Sequence, residues 1–146
     1  MAVDIGFDVR ELNEYSLKLL KLAEKTMPKE CNKFMKNEAS KLNSKAKNKA
    51  RKEVKKKTGN YMKGFKKGKK VYEYGDTKYN IRVYNSAPHA HLIEYGHEIV
   101  GHETGKEKSG YVKGKFVLEN ASREFEGQFE KDTYDLVDVL LDKGLS

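Results

Sequence analysis

The chain has 146 residues, of which 37% are hydrophobic and 36% are charged, and its formal net charge is +8. This length fits one domain, and the modest apolar content predicts a core of moderate size that gains stability from partners. The single cysteine, Cys31, excludes an internal disulfide. No window approaches the roughly 20 apolar residues of a membrane-spanning helix, and the N-terminus lacks the apolar run of a signal peptide.

Residues 1–57 have the patterns of two helices. Asp8 and Glu11 have the spacing of a capping box, which is followed by an apolar helical face at Leu12, Tyr15, Leu19, Leu22 and Ala23. Pro28 interrupts that face, so a second helix is predicted over residues 29–57. Its narrow apolar stripe comprises Cys31, Met35, Ala39, Leu42, Ala46, Ala50 and Val54. Thr58 and Gly59 are expected to end this helix, with Gly59 in the left-handed conformation.

Residues 58–97 are typical of β structure. A strand is predicted over residues 61–66, and the alternating patterns of residues 71–74 and 79–84, joined by a Gly-Asp-Thr-Lys turn, indicate a hairpin. The short apolar segment 90–95 is compatible with one helical turn or with a strand. Residues 98–115 contain four glycines and many charges, and they are expected to form a mobile loop.

Residues 116–142 are predicted to form the last helix, with an apolar face at Phe116, Leu118, Ala121, Phe125, Phe129, Leu136, Val139 and Leu140. Together the elements predict a single α+β domain. We expect an antiparallel sheet of three to four strands, packed against the long N-terminal and C-terminal helices.

The charge is distributed unevenly along the chain. Residues 45–70 include thirteen Lys or Arg residues and one acid, whereas residues 119–142 include eight acids and two basic residues. The basic part could bind nucleic acid, or copies could pack basic face against acidic face. The candidate contact residues are Lys55, Lys56, Lys57, Lys66, Lys67, Glu126 and Glu130. Because no base-reading module accompanies the basic run, a solvated or protein-facing surface is favoured, and a nucleic-acid-binding protein is the alternative.

The histidines and the cysteine are the candidates for a metal site or a nucleophile. His89, His91, His97 and His102 lie within fourteen residues, together with three glutamates, so a metal-dependent hydrolase is a third hypothesis. Their spacing differs from the helical His-Glu-x-x-His pattern, which favours polar loop residues. Cys31 lies on an apolar stripe, which favours a core position over a catalytic thiolate. The chain lacks a phosphate-binding loop, a dinucleotide fingerprint and Gly-x-Ser-x-Gly, so we expect neither an enzyme nor a cofactor.

Three segments in a fixed order resemble the head–tail joining family of long-tailed bacteriophages and prophages, which includes neck, tail-completion and minor tail proteins. The first is residues 57–65, in which Thr-Gly follows a long helix. The second is residues 85–97, in which two aliphatic residues precede Glu94, Tyr95 and Gly96, and His97 follows. The third is residues 110–121, which resemble the entry to the family's last helix. The resemblance spans about residues 29–141, and the Lys-rich residues 66–70 depart from it.

The resemblance implies a structural protein of the virion, assembled in the host cytoplasm and without catalysis. It would form a homo-oligomeric ring, expected to have six subunits, between the head connector and the tail tube or tail terminator. DNA would pass through the lumen of this ring, and no membrane would be involved. Glu94, Tyr95 and His97 are further candidate contact residues. A buried Glu94 would need backbone N–H groups of its own loop or a Lys of a neighbouring subunit as partners, and the alternative is a plain surface Glu on a short helix.

Overall fold

The computed structural model describes residues 9–55, 59–74, 78–99 and 110–146. Two long antiparallel helices, α2 and α5, form its body, since Lys41 lies beside Asp132 and Lys49 beside Glu124. The elements in chain order are α1 (Val9–Lys21), a π-helical turn (Leu22–Thr26), α2 (Met27–Glu53), α3 (Asn60–Lys63), β1 (Phe65–Lys67), β2 (Tyr72–Tyr74), β3 (Lys78–Asn80), β4 (Val83–Asn85), α4 (Ala90–Tyr95), β5 (Gly96–Glu98), β6 (Tyr111–Lys113) and α5 (Val117–Leu145).

A second helix begins near Pro28 as predicted, but no break precedes it, because a π-helical turn joins α1 to α2. Pro28 lies in the first turn of α2, and the Met27 N–H donates to the Leu22 carbonyl across the π-helical turn. In a regular α-helix the proline ring would clash with the carbonyl four residues earlier, and a π-helical turn is one way to absorb such an interruption. The predicted cap Asp8 lies outside the described residues.

The apolar face predicted for the first helix is covered only in part. Leu22 is buried against Gly144, whereas Tyr15 and Leu19 stay exposed on α1. Leu17 and Leu20 are exposed as well. The periodicity therefore predicted the helix correctly, but it did not predict which residues would be covered.

The core lies between α2 and α5, as their apolar stripes predict. It contains Ala46, Ala50, Phe65, Val117 and Ala121, all buried, with Leu42, Val54 and Leu118 packed around them. The small alanine side chains let the two helices approach closely, since the interaxial distance depends on the side chains at the contact. Further along the pair, the rings of Phe34 and Phe129 lie 5.9 Å apart between centroids.

The strands form three separate two-stranded antiparallel ladders, β1–β4, β2–β3 and β5–β6. The α+β class is confirmed in broad terms, but one sheet of three to four strands is not formed. Residues 61–66, predicted as a strand, contain most of α3 and the start of β1. The strand predicted over 79–84 is interrupted at Ile81 and Arg82, because Val83–Asn85 leave the hairpin to pair with Phe65–Lys67. The Gly68 N–H donates to the Arg82 carbonyl (2.7 Å), at the point where the chain passes from the β2–β3 pair to the β1–β4 pair.

The boundaries of the C-terminal half also differ from those predicted. Segment 90–95 is helical, and Tyr111–Lys113 lie inside the predicted loop but pair with Gly96–Glu98. Residues 100–109, for which mobility was predicted, lie outside the described residues. Helix α5 continues past Asp142 because Gly144 packs against Leu22, whose Cδ1 atom would lie 2.7 Å from a Cβ at that position. None of the described helices is long and apolar enough to cross a membrane.

Candidate functional site

The motif segments meet at one end of the α2–α5 pair, formed by α3, α4, the β5–β6 hairpin and the first turn of α5. We call this end the junction. The Ser86 N–H donates to the Gly64 carbonyl (2.8 Å), which links the first and second segments. The Lys115 N–H donates to the Ile93 carbonyl (2.8 Å) and links the second segment to the third. Residues far apart in sequence are therefore joined by backbone hydrogen bonds.

Glu94 caps helix α5 from outside that helix. The side chain is buried; Oε2 accepts the Leu118 N–H (3.1 Å) and Oε1 accepts the Glu119 N–H (3.0 Å). The Glu94 carbonyl also accepts the Phe116 N–H (3.1 Å). The first N–H groups of a helix have no partner within the helix, and its dipole favours a carboxylate at that end. Glu94 is thus buried with backbone N–H partners, but these belong to α5 and not to its own loop, where they were expected from the sequence.

Gly96 and Gly114 allow the β5–β6 hairpin to close against α4. Gly96 has a φ of +87°, a backbone angle that residues with a side chain rarely adopt. A Cβ at Gly114 would lie 2.5 Å from the Glu94 carbonyl oxygen, a backbone atom that cannot move aside easily. The Tyr111 hydroxyl donates to the Tyr95 carbonyl (2.8 Å) and closes the hairpin over the end of α4. These glycines are therefore needed for close backbone approach.

Phe116 has an unusual backbone conformation at the point where α5 begins. Its φ is +49° and its ψ is 46°, in the left-handed region, which is uncommon for a residue with a side chain. The Phe116 ring packs edge-on against Tyr95, with 6.1 Å between centroids. This conformation could not be predicted from residues 114–117, in which Phe116 is not a residue type that favours the left-handed region.

Asn85 is a junction residue for which the sequence predicted no role. Its Nδ2 donates to the Tyr61 carbonyl (2.8 Å), and its Oδ1 accepts the Ala87 N–H (2.9 Å). A Cβ at Gly64 would lie 2.0 Å from the Asn85 Oδ1 atom. The absence of a side chain at Gly64 therefore leaves room for the Asn85 amide. Asn followed by Ser and Pro suggests a turn, but its bond across to α3 depends on the tertiary structure.

A groove of about 600 Å³ opens at the junction. Its walls are mainly apolar, and Lys55, His89 and Lys115 lie along it. The apolar part includes Val54, Met62, Ala87, Pro88, Ile93 and Val112. Beside it, Tyr61 stacks edge-on against Phe65, and burial raises the pKa of Tyr61 to about 12, which keeps its hydroxyl neutral. An apolar groove with a few polar groups at its edge is suited to binding a partner. We call it the junction groove.

The basic candidates are placed in different environments. Lys55 is exposed beside the junction groove, and Lys66 is exposed on β1. Lys67 donates to the Ser40 hydroxyl and to the Lys36 carbonyl (3.4 Å), so its ammonium group lies against α2. Lys56 and Lys57 lie outside the described residues.

The basic and acidic parts of the chain meet within one molecule. Lys41 Nζ lies 2.7 Å from Asp132 Oδ2, and Lys49 Nζ lies 2.7 Å from Glu124 Oε1, both across the α2–α5 contact. The hydrogen bond from Lys49 lowers the pKa of the Glu124 carboxyl. The charge asymmetry of the sequence is thus partly neutralised inside the chain. Glu126 and Glu130 are exposed on α5, where a neighbour can reach them.

Glu38 is a buried carboxyl that the sequence did not single out. Its Oε1 lies 2.9 Å from Lys41 Nζ, whereas its Oε2 has no hydrogen-bond donor among the described residues. Burial raises the pKa of Glu38, and its neighbour Asp132 raises it further, although Lys41 opposes this. Glu38, Lys41 and Asp132 therefore form a charged contact between α2 and α5.

The histidines and Cys31 are not gathered into a site. His89 and His91 are exposed on the surface around α4, and the Nδ1 of His97 is buried without a partner in the described chain. Among the described residues, no group of three His, Cys, Asp or Glu side chains could hold a metal ion; His102 lies outside them. Burial raises the pKa of the Cys31 thiol, which disfavours the reactive thiolate.

Residues 14–96 match the family described as "Bacteriophage HK97-gp10, putative tail-component". The match covers more than half of the chain, including the first motif segment and nearly all of the second. No curated protein and no solved structure gives a significant match to the chain.

Proposed function

Because the chain belongs to the HK97-gp10-like family of bacteriophage tail components, we propose that it completes the tail where the tail meets the head. As a family member it is a phage structural protein of the virion, which interacts with other phage structural proteins. The family match carries the proposal. It is supported by the junction, where the motif residues lie beside an open apolar groove.

In the proposed assembly, six copies form a ring between the head connector and the tail tube or tail terminator, and DNA passes through the lumen. The exposed lysines around β1, Lys63, Lys66, Lys69 and Lys70, would face either DNA or a neighbouring protein. Each such contact is worth little alone, about 0.2–1 kcal/mol for an exposed pair. Repetition around a ring multiplies these small contributions.

The proposed role is structural rather than catalytic. The buried polar groups at the junction serve the fold: Glu94 caps α5, and Asn85 joins α3 to the turn after β4. A catalytic site would need a nucleophile or base aimed into a pocket with a perturbed pKa. At the junction groove the pKa of Tyr61 is raised, which keeps its hydroxyl protonated and disfavours a reactive phenolate.

The test is the joining of heads to tails in a phage lysate. A phage that lacks this protein should accumulate DNA-filled heads and separate tails, and the purified chain should restore joined particles seen by electron microscopy. A chain with Lys55→Glu, Lys56→Glu and Lys57→Glu should fold but fail to join them. The matched control carries Lys18→Glu, Lys21→Glu and Lys25→Glu, the same charge change on exposed positions of α1 and the π-helical turn.

Each result has a defined meaning. Loose heads and tails with the Lys55 triple variant, and joined particles with the control, support the proposal that these lysines meet protein. Joined particles that leak or fail to eject DNA indicate that the lysines face DNA in the lumen. Joined, infectious particles without any copy of this chain would refute the proposed function.

A further inference from the structure

Helix α5 has a second apolar face that the described residues of its own chain leave uncovered. Tyr134, Val137 and Leu141 are 65%, 39% and 40% exposed. They are spaced by three and four residues, so they form one stripe along the helix. The core residues Ala121 and Phe125 lie on the opposite side of α5, whereas the buried Leu140, three residues after Val137, borders the stripe. We call the three residues the outer stripe.

Acidic residues accompany the outer stripe. Glu130 and Asp138 are exposed and, at four residues before and four after Tyr134, share its face. The face is therefore an apolar line with carboxylates beside it. A surface that complements it would be an apolar channel with cations at its edge.

The junction groove has these complementary properties. Its walls are apolar at Met62, Pro88 and Ile93, and Lys55 and Lys115 lie along it as exposed cations. A helix with an apolar stripe can lie in such a groove, with pairs of opposite charge fixing its register.

A single copy cannot bring the two surfaces together. The groove is at the start of α5 near Lys115, and the outer stripe is centred about twenty residues later on the same helix. At a rise of about 1.5 Å per residue, they lie roughly 30 Å apart along a continuous helix. The outer stripe can therefore fill only the groove of another molecule. Such a contact joins two different surfaces, and it closes into a ring when the rotation between copies permits.

We propose that the outer stripe of α5 in one copy docks in the junction groove of the next copy, with Glu130 and Asp138 near Lys55 and Lys115. The proposal rests on the proposed ring and names the contact that builds it. A stripe of three side chains offers a limited contact compared with the roughly 800 Å² per partner of a standard interface, so we expect free copies to associate weakly.

Disulfide trapping between two differently tagged chains tests the contact directly. Both chains carry Cys31→Ser; one has Pro88→Cys in the groove, and the other has Val137→Cys in the stripe. Each chain has one thiol, so a mixed disulfide reports contact between copies. The control replaces Val137→Cys with Asp135→Cys, at the same height on α5 but turned away from the stripe. We expect the mixed dimer with Val137→Cys and at least tenfold less with the control.

Charge exchange in the full-length chain tests the register. Lys55→Glu with Lys115→Glu should weaken self-association about tenfold, and so should Glu130→Lys with Asp138→Lys. All four changes in one chain should restore association, measured by sedimentation across a concentration series.

The outcomes separate this contact from the ring itself. Equal trapping of the Pro88–Val137 and Pro88–Asp135 cysteine pairs in chains that still assemble would overturn the stripe-in-groove contact and leave the ring in place. Failure of the fourfold charge exchange to restore association would have the same meaning. Trapping of neither pair in assembled particles has the same meaning. A chain that does not self-associate at any concentration or in particles overturns both proposals.

Discussion

Glu94 should contribute more to the stability of the monomer than any exposed acid in the chain. Its carboxylate accepts two backbone N–H groups of α5, and its carbonyl accepts a third, at the point where the last helix begins. Glu94→Ala removes both side-chain acceptors and leaves the Leu118 and Glu119 N–H groups without them. Glu94→Gln keeps one oxygen acceptor in the same place and removes the charge.

The magnitude follows from known capping energies. Removing a capping side chain costs about 0.5–2 kcal/mol, and leaving buried polar groups unsatisfied costs about 1–3 kcal/mol. We therefore expect Glu94→Ala to lower the free energy of unfolding by about 2–4 kcal/mol and Glu94→Gln by about half as much. For a chain of this size, about 4 °C of Tm per kcal/mol gives a fall of roughly 8–16 °C for Glu94→Ala.

The assay is urea and thermal unfolding followed by circular dichroism, at a concentration where the protein is monomeric. Glu98→Ala is the control, because Glu98 is exposed on the adjacent strand and its removal should cost less than about 0.5 kcal/mol. Equal stability of the Glu94→Ala and Glu98→Ala chains would refute the capping role. A loss seen only in assembled particles would instead assign Glu94 to a contact between subunits.

Three further predictions concern α2, α5 and the hairpin. The fold raises the pKa of Glu38 above its ordinary 4.5, so the stability that this group contributes is present at low pH and is lost as the pH rises through the raised pKa. Glu38→Gln should therefore gain Tm relative to the native chain as the pH rises from 4 to 8, and a constant difference would contradict this. Gly114→Ala should cost about 1–3 kcal/mol through its backbone clash, whereas Gly127→Ala, which meets nothing within 4 Å, should gain about 0.5–1 kcal/mol in urea unfolding. Lys49→Glu should lower the urea midpoint, and adding Glu124→Lys should recover it; no recovery would mean that their ion pair is not formed in solution.

The close pairing of α2 with α5 changes how the charge pattern is interpreted. In the sequence, the basic middle and the acidic end seemed free to bind neighbours. In the structure, Lys41 and Lys49 already pair with Asp132 and Glu124. Exposed charges that remain for partners include Lys55 and Lys115 at the junction and Asp138 on the outer face of α5, and the proposed contact uses these.

The sequence alone determined the long helices and the small residues buried between α2 and α5, although Val139 of the predicted α5 face is 47% exposed and most of the α1 face stays exposed. Ala46, Ala50 and Ala121 recur at helical spacing, and periodicity of this kind reflects burial directly. It also predicted the hairpin of β2 and β3, and the left-handed conformation of Gly59, whose φ is 80°. Gly59 nevertheless begins α3 rather than ending α2, which stops at Glu53.

The tertiary structure alone decided the strand pairing and the partners of the polar residues. Three-residue strands carry too few side chains for their period to indicate a partner, so the pairing of Val83–Asn85 with Phe65–Lys67 depends on where α2 and α3 place β1. The same holds for Glu94: its sequence neighbours left burial and exposure both open, and the N–H groups whose hydrogen bonds it accepts are 24 and 25 residues away in the chain. A local pattern specifies which side of an element faces the core, whereas a contact between distant residues forms only when the whole chain has packed.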